Sequence, residues 1–170
     1  MICRSAKTLI AAFVVLFGLG AGSAALADAP GVQTPKPAHS DTCPVCGMFV
    51  AKYPEWVATL VFKDGATAQF DGAKDMFKYL LEIDKYEKNQ SIDGVAVLGV
   101  TEYYAVERID AKEAFYVVGS DVLGPMGHDL VPFRNRADAE EFMADHKGKR
   151  IVTFGSVSLK DCLGLDQGRF

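Results

Sequence analysis

Four cysteines and three histidines are few for a chain of 170 residues. That scarcity excludes a disulfide scaffold, which needs a denser set of pairs, so the fold must rest on its core. No second C-x-x-C accompanies Cys43 and Cys46, so a zinc ribbon lacks its other half. Gly47 follows Cys46 where attachment of a c-type haem needs His. There is no cluster of Lys and Arg, which makes nucleic acid and anionic lipid poor partners. Also missing are a Ser/His/Asp set, a glycine-rich phosphate loop and a carboxylate pair suited to hydrolysis. The apolar run Leu9 to Leu19 is too short to cross a bilayer.

What is present begins with a leader. Arg4 and Lys7 precede that apolar run, and Ala25-Leu26-Ala27 forms a small-residue cleavage site. Residues 1–27 therefore read as a secretory signal peptide, which takes Cys3 with it. A mature chain from Asp28 has no cysteine at its start, so no lipid anchor is expected, and a soluble periplasmic protein is. Its 143 residues hold 16 basic and 22 acidic side chains, a net charge of −6. The remaining cysteines, Cys43, Cys46 and Cys162, are odd in number, so at least one is free, ligated or bridged to another chain.

Residues 28–40, with Pro30, Gly31, Pro35 and Pro37 and no apolar period, read as a flexible linker. Trp56–Phe62 and Ala66–Phe70 flank Lys63-Asp64-Gly65 and predict a β-hairpin. Asp71 is the expected N-cap of a helix reaching about Ile83, with Met76, Phe77, Tyr79, Leu80 and Ile83 on one stripe. Val95–Tyr104 predicts another strand. Then Ala114–Val118 and Leu130–Phe133 read as strands around a loop from Gly119 to Gly127. A helix over Ala137–His146 and a strand over Arg150–Phe154 follow. The order strand-strand-helix-strand thus occurs twice, over 41–108 and 109–170, and suggests an internal duplication. The class is α+β with mainly antiparallel sheet.

The chemistry concentrates in Cys43-Pro44-Val45-Cys46-Gly47-Met48. Two thiols and a thioether within six residues are soft donors, which suit Cu(I). Zinc, redox chemistry and a structural disulfide remain open for the Cys pair itself. Gly47 permits a tight fold that turns both sulfurs to one ion. Zinc rarely takes thioether, so Met48 favours Cu(I), the alternative being core packing against Phe49 and Val50. A second candidate is Gly124-Pro125-Met126-Gly127-His128, where Met126 lies on a loop and His128 could add an imidazole. Met76 and Met143 fall on helix stripes and are expected in the core. His39, His146, Cys162, Trp56, Tyr103 and Tyr104 need no ligand role.

These two motifs, extended to Cys43–Val50 and Gly124–Phe133 and joined by Phe70-Asp71-Gly72 and Tyr103-Tyr104, resemble the NosL family of copper chaperones for nitrous oxide reductase. The resemblance covers nearly all of the mature chain. It implies a two-part α+β fold related to organomercurial lyase. It also implies a Cu(I) site made by Cys46, Met48 and Met126, with His128 a weaker addition and Cys43 either a supporting ligand or a partner of Cys46 when oxidised. The implied role is delivery of copper toward the copper–sulfide centre of the reductase, together with a membrane-bound ABC transporter complex. The rival expectation is a thiol enzyme, a disulfide oxidoreductase or a mercury–carbon lyase, turning over through Cys43 and Cys46.

Overall fold

A computed structural model describes residues 28–170, and the expected signal peptide lies outside them. The chain runs β1 (Ala58–Phe62), β2 (Thr67–Phe70), α1 (Ala73–Leu81), α2 (Ile83–Tyr86), β3 (Val95–Thr101) and β4 (Arg108–Asp110). It continues through β5 (Phe115–Gly124), β6 (Gly127–Phe133), α3 (Arg136–Asp145), β7 (Arg150–Thr153) and α4 (Leu159–Asp166). Two antiparallel sheets result, ordered β2-β1-β3-β4 and β6-β5-β7. In each, the first strand of the half is central and pairs with the next strand and with the one after the helix. The α+β class and the repeated order therefore stand. The boundary expected between 108 and 109 falls inside β4.

Local chemistry explains the elements. Gly65 takes φ +89°, which L-residues avoid, and Asp64 accepts the Ala66 amide at 2.9 Å, so the β1–β2 turn closes as expected. On β5, Tyr116 and Val118 enter the larger core, with Leu60, Phe70 and Met76. Val117 enters a second core, with Val131, Phe133 and Phe142. Strand side chains alternate between faces, so one sheet serves both cores. Trp56, Tyr103 and Met143 pack on the second core, and Tyr103 meets Phe142 edge-on at 4.7 Å.

Several expectations need correction. The linker 28–40 is not a free tether along its first part. Ala29 is buried, Gly31 bridges Ile109, and the Pro30 carbonyl accepts the Asp110 amide at 2.9 Å. β4 is an edge strand whose backbone groups need partners, and an extended Pro-rich segment supplies them. The loop Gly119–Gly127 is mostly strand: β5 continues to Gly124 past an irregularity, leaving Pro125-Met126 as a two-residue turn. The expected first helix breaks at Glu82 into α1 and α2.

Asp71 does not cap α1, whose N-cap is Gly72. The cap comes from the other half, where Asp129 of β6 accepts the Lys74 amide at 2.7 Å. Helix α4 was not expected. Ser158 and Asp161 form its capping box, and Cys162 and Leu165 turn into the core. Among the described residues, no helix is long and apolar enough to cross a membrane.

Candidate metal centre

The cysteine loop is closed by its own backbone. Thr42 bridges Phe49, the Cys43 amide donates to the Met48 carbonyl at 2.8 Å, and the Gly47 amide to the Cys43 carbonyl at 2.8 Å. Gly47 takes φ +79°, so the tight fold expected of it is real. Cys43 is buried, Cys46 and Met48 are half-buried, and neither cysteine is in a disulfide.

The loop rests on the N-terminal end of α1. The Cys43 thiol donates to Asp75 Oδ2 at 3.4 Å, and the Cys46 thiol to Asp71 Oδ1 at 3.2 Å. One donor atom from each of Cys43, Cys46, Asp71 and Asp75 lies within 4.8 Å of the other three. Asp71 Oδ2 is buried without a hydrogen-bond partner. Asp75 Oδ1 is held by the Lys78 ammonium at 3.2 Å, and Lys78 also meets Asp166 at 2.7 Å.

Burial pushes the Cys46 thiol up to about 12, and the adjacent carboxylates of Asp71 and Asp75 add to it, against the Met48 amide, which favours the thiolate. Burial, then Asp75, raises Cys43 further. Both sulfurs are thus protonated at neutral pH, and a soft cation would bind by displacing those protons.

The second loop reaches the same helix turn. The Lys74 ammonium donates to the Met126 carbonyl at 3.0 Å, while Asp75, the next residue, faces Cys43. Met126 itself is 45% exposed at the hairpin tip. His128 looks elsewhere. Its Nδ1 lies 3.1 Å from the Ser120 carbonyl and its ring meets Phe170 at 4.9 Å. The alternation of β6 turns Asp129, not His128, toward α1.

His39 is exposed, and His146 caps the end of α3 beside Asp121. Cys162 is fully buried, its thiol raised to about 12 mainly by burial, as an inert core residue. Asp71 and Asp75 were missed by reading the sequence for sulfur alone. Asp71 lies just before the N-cap Gly72 and Asp75 in the first turn of α1, so both carboxylates stand at the start of one helix, and that was the available signal.

The family model of NosL matches residues 35–161. A protein of Stutzerimonas stutzeri described as copper-binding lipoprotein NosL is 30% identical over 138 residues, 76% of this chain and 70% of that protein. The crystal structure of the copper chaperone NosL from Shewanella denitrificans superposes with a TM-score of 0.63 at 24% identity, over 77% of this chain and 99% of that one. The solution structure of apo-NosL from Achromobacter cycloclastes gives 0.44, also at 24% identity, over 62% and 87%.

Proposed function

The chain belongs to the NosL family, and from that premise we propose that it is a periplasmic Cu(I)-binding metallochaperone. It delivers copper for assembly of the copper–sulfide centre of nitrous oxide reductase. The observation that carries the reading is the convergence of two thiols in a backbone-closed loop on the rim of the core.

Cys46 is the principal donor. It is half-buried, so its sulfur can meet both an incoming ion and a partner's ligand, whereas Cys43 is 1% exposed and supports the loop from below. Met48 follows on the same loop, and the hairpin that carries Met126 is tied to α1 by the Lys74 hydrogen bond to the Met126 carbonyl. Thioethers stabilise Cu(I) without adding charge, so one thiolate and two thioethers leave the loaded site neutral. Half-exposed donors favour stepwise exchange, in which a recipient's ligand attacks before the last bond to the chaperone breaks. The recipients are the maturation machinery of the reductase, an ABC transporter complex in the membrane, and the reductase itself.

A thiol enzyme fits less well. An attacking sulfur must ionise, and here each thiol donates to a carboxylate that favours its protonated form.

The test is an anaerobic competition titration with a Cu(I) chelator. The wild type should bind one Cu(I), and Cys46→Ser should weaken it by about 100-fold or more, beyond the loss typical of a residue that only supports a ligand. Equal affinity in the two proteins overturns the assignment. Loss of copper–sulfide formation in a reductase matured with Cys46→Ser in place of the wild type checks the recipient.

A further inference from the structure

We propose that the cleft between the Pro-rich segment and the first sheet binds an organic carboxylate, with its anionic head on Arg108 and its apolar body against Val106 and the prolines of the wall. The cleft draws none of its lining from Cys43–Met48, so the inference does not depend on copper.

The cleft follows from how β4 is built. Ile109 enters the larger core, so Arg108 and Asp110 on either side of it turn to the outer face of the sheet. On that face Arg108 stands opposite Thr101 of β3. The segment after Gly31 crosses it as a strap. The Val32 amide donates to the Arg108 carbonyl at 3.2 Å, and the Gln69 amide group donates to the Pro35 carbonyl at 3.2 Å. The strap lies so close over β3 that a Cβ added to Gly99 would stand 2.8 Å from Thr34. Between the strap and the chain from Ala51 to Val57 a cleft of about 740 Å³ stays open, a size typical of small-molecule sites.

Arg108 is the first argument. Its Nη1 donates to the Val57 carbonyl and to the Thr101 hydroxyl, which fixes the guanidinium in place. Among the described residues, Nε and Nη2 have no partner and no carboxylate pairs with the group. Glu107, the acidic residue of the lining, is taken by Arg134 at 2.7 Å. Burial lowers Arg108 to about 10, since the cation has given up water without gaining an anion. The free edge of a guanidinium matches the two oxygens of a planar carboxylate. Lys36, exposed on the strap, adds positive charge to the same cleft in a chain whose net charge is −4.

Val106 is the second argument. It takes φ +56°, a left-handed conformation that a β-branched residue avoids, and it is 53% exposed. Strain of this kind clusters at ligand clamps, where the side chain is needed in place. With Pro37 and Pro54 it gives the cleft an apolar wall. Phosphate or sulfate would leave that wall wet, whereas a hydrocarbon chain behind the carboxylate covers it.

The experiment titrates the isotope-labelled protein with hexanoate and follows the Arg108 Nε–H and the Val32, Val57 and Thr101 amides by NMR. The shifts should saturate with a Kd of about a millimolar, as suits so small a ligand. Acetate, without the hydrocarbon body, and hexanol, without the charge, should each bind at least about tenfold more weakly. Arg108→Gln should weaken hexanoate about tenfold or more. Val106→Asn should raise the denaturation midpoint, because Asn tolerates the left-handed region, yet weaken hexanoate about threefold. A variant that gains stability and loses ligand separates a binding role from a structural one. Equal binding of acetate and hexanoate shows ion pairing only and overturns the proposal, as does the absence of saturable shifts at Arg108. Neither result depends on a variant folding. Unchanged hexanoate affinity in folded Arg108→Gln overturns it as well.

Discussion

Helix α1 buries seven of its nine residues, whereas α3, which follows the corresponding pair of strands in the second half, buries two of its ten. The difference lies in what covers each helix. α1 is wedged between its own strands and the β6 and α4 of the other half. α3 lies against one face of the second sheet and leaves its outer side to water. A charged group on a helix covered from both sides must find a partner. Lys74 is fully buried and meets Asp166 at 3.1 Å, Asp75 meets the Cys43 thiol, and Asp71, just before the helix, meets the Cys46 thiol. On α3 the equivalent charges make only surface pairs such as Arg136–Glu140. Two halves with one topology thus yield one site, because only one helix is enclosed.

The largest effect should come from emptying the two cores in turn. Phe142→Ala, in the second core, should cost about 3–5 kcal/mol of unfolding free energy, and Met76→Ala, in the first, about 2–5. In chemical denaturation both should lower the midpoint. Only Met76→Ala should also weaken Cu(I), since Met76 shares a cluster with Cys43 and Phe142 does not. Equal loss of copper affinity in both would erase the distinction between the halves.

A smaller effect is expected at the seam. Gly72 has an extended backbone open to any residue, yet an added Cβ would lie 2.1 Å from Asp129 Oδ2. Close approach, not conformation, demands glycine here. Gly72→Ala should cost about 1–3 kcal/mol by pushing β6 off the start of α1. It should also remove whatever Met126 adds to Cu(I) affinity, so that Met126→Leu has no further effect in that background.

The smallest test lies in α4. Asp161 sits below the ordinary carboxylate value because, although burial opposes it, the Ser158 hydroxyl and amide and then Arg150 favour the ionised form. A depressed native value means stability present above the unfolded value of 3.8 and lost as the pH falls through the native one. Asp161→Asn should therefore cost about 1 kcal/mol at pH 7, with the gap to the parent closing in acid. A constant gap across that range would remove Asp161's charge from the account.

Much of this was legible in the residues. The β1–β2 hairpin could be read because Asp64-Gly65 is a local turn signal between apolar runs. The inward stripe of α1 could be read because its period is local too. The first part of the linker was misread because its order comes from the unpaired edge of β4, which lies about 80 residues away in sequence. The extension of β5 was masked by Gly119, Gly124 and Pro125, which resemble a loop until the ladder with β6 is seen. Helix α4 was readable from Ser158 and Asp161, but Gly164 and its eight-residue length hid it.

The amino-acid order alone determined the sulfur-rich loop, its glycine hinge, the α+β class and the repeated plan, since each depends on neighbours a few residues apart. Tertiary structure alone decided which side chains face the two thiols. Asp71 and Asp75 stand 25 to 32 residues beyond their thiol partners, and Asp129 caps their helix from 55 residues past Lys74. Spacing cannot express such meetings, because they arise only when two sheets close on one buried helix and its polar groups must be satisfied there.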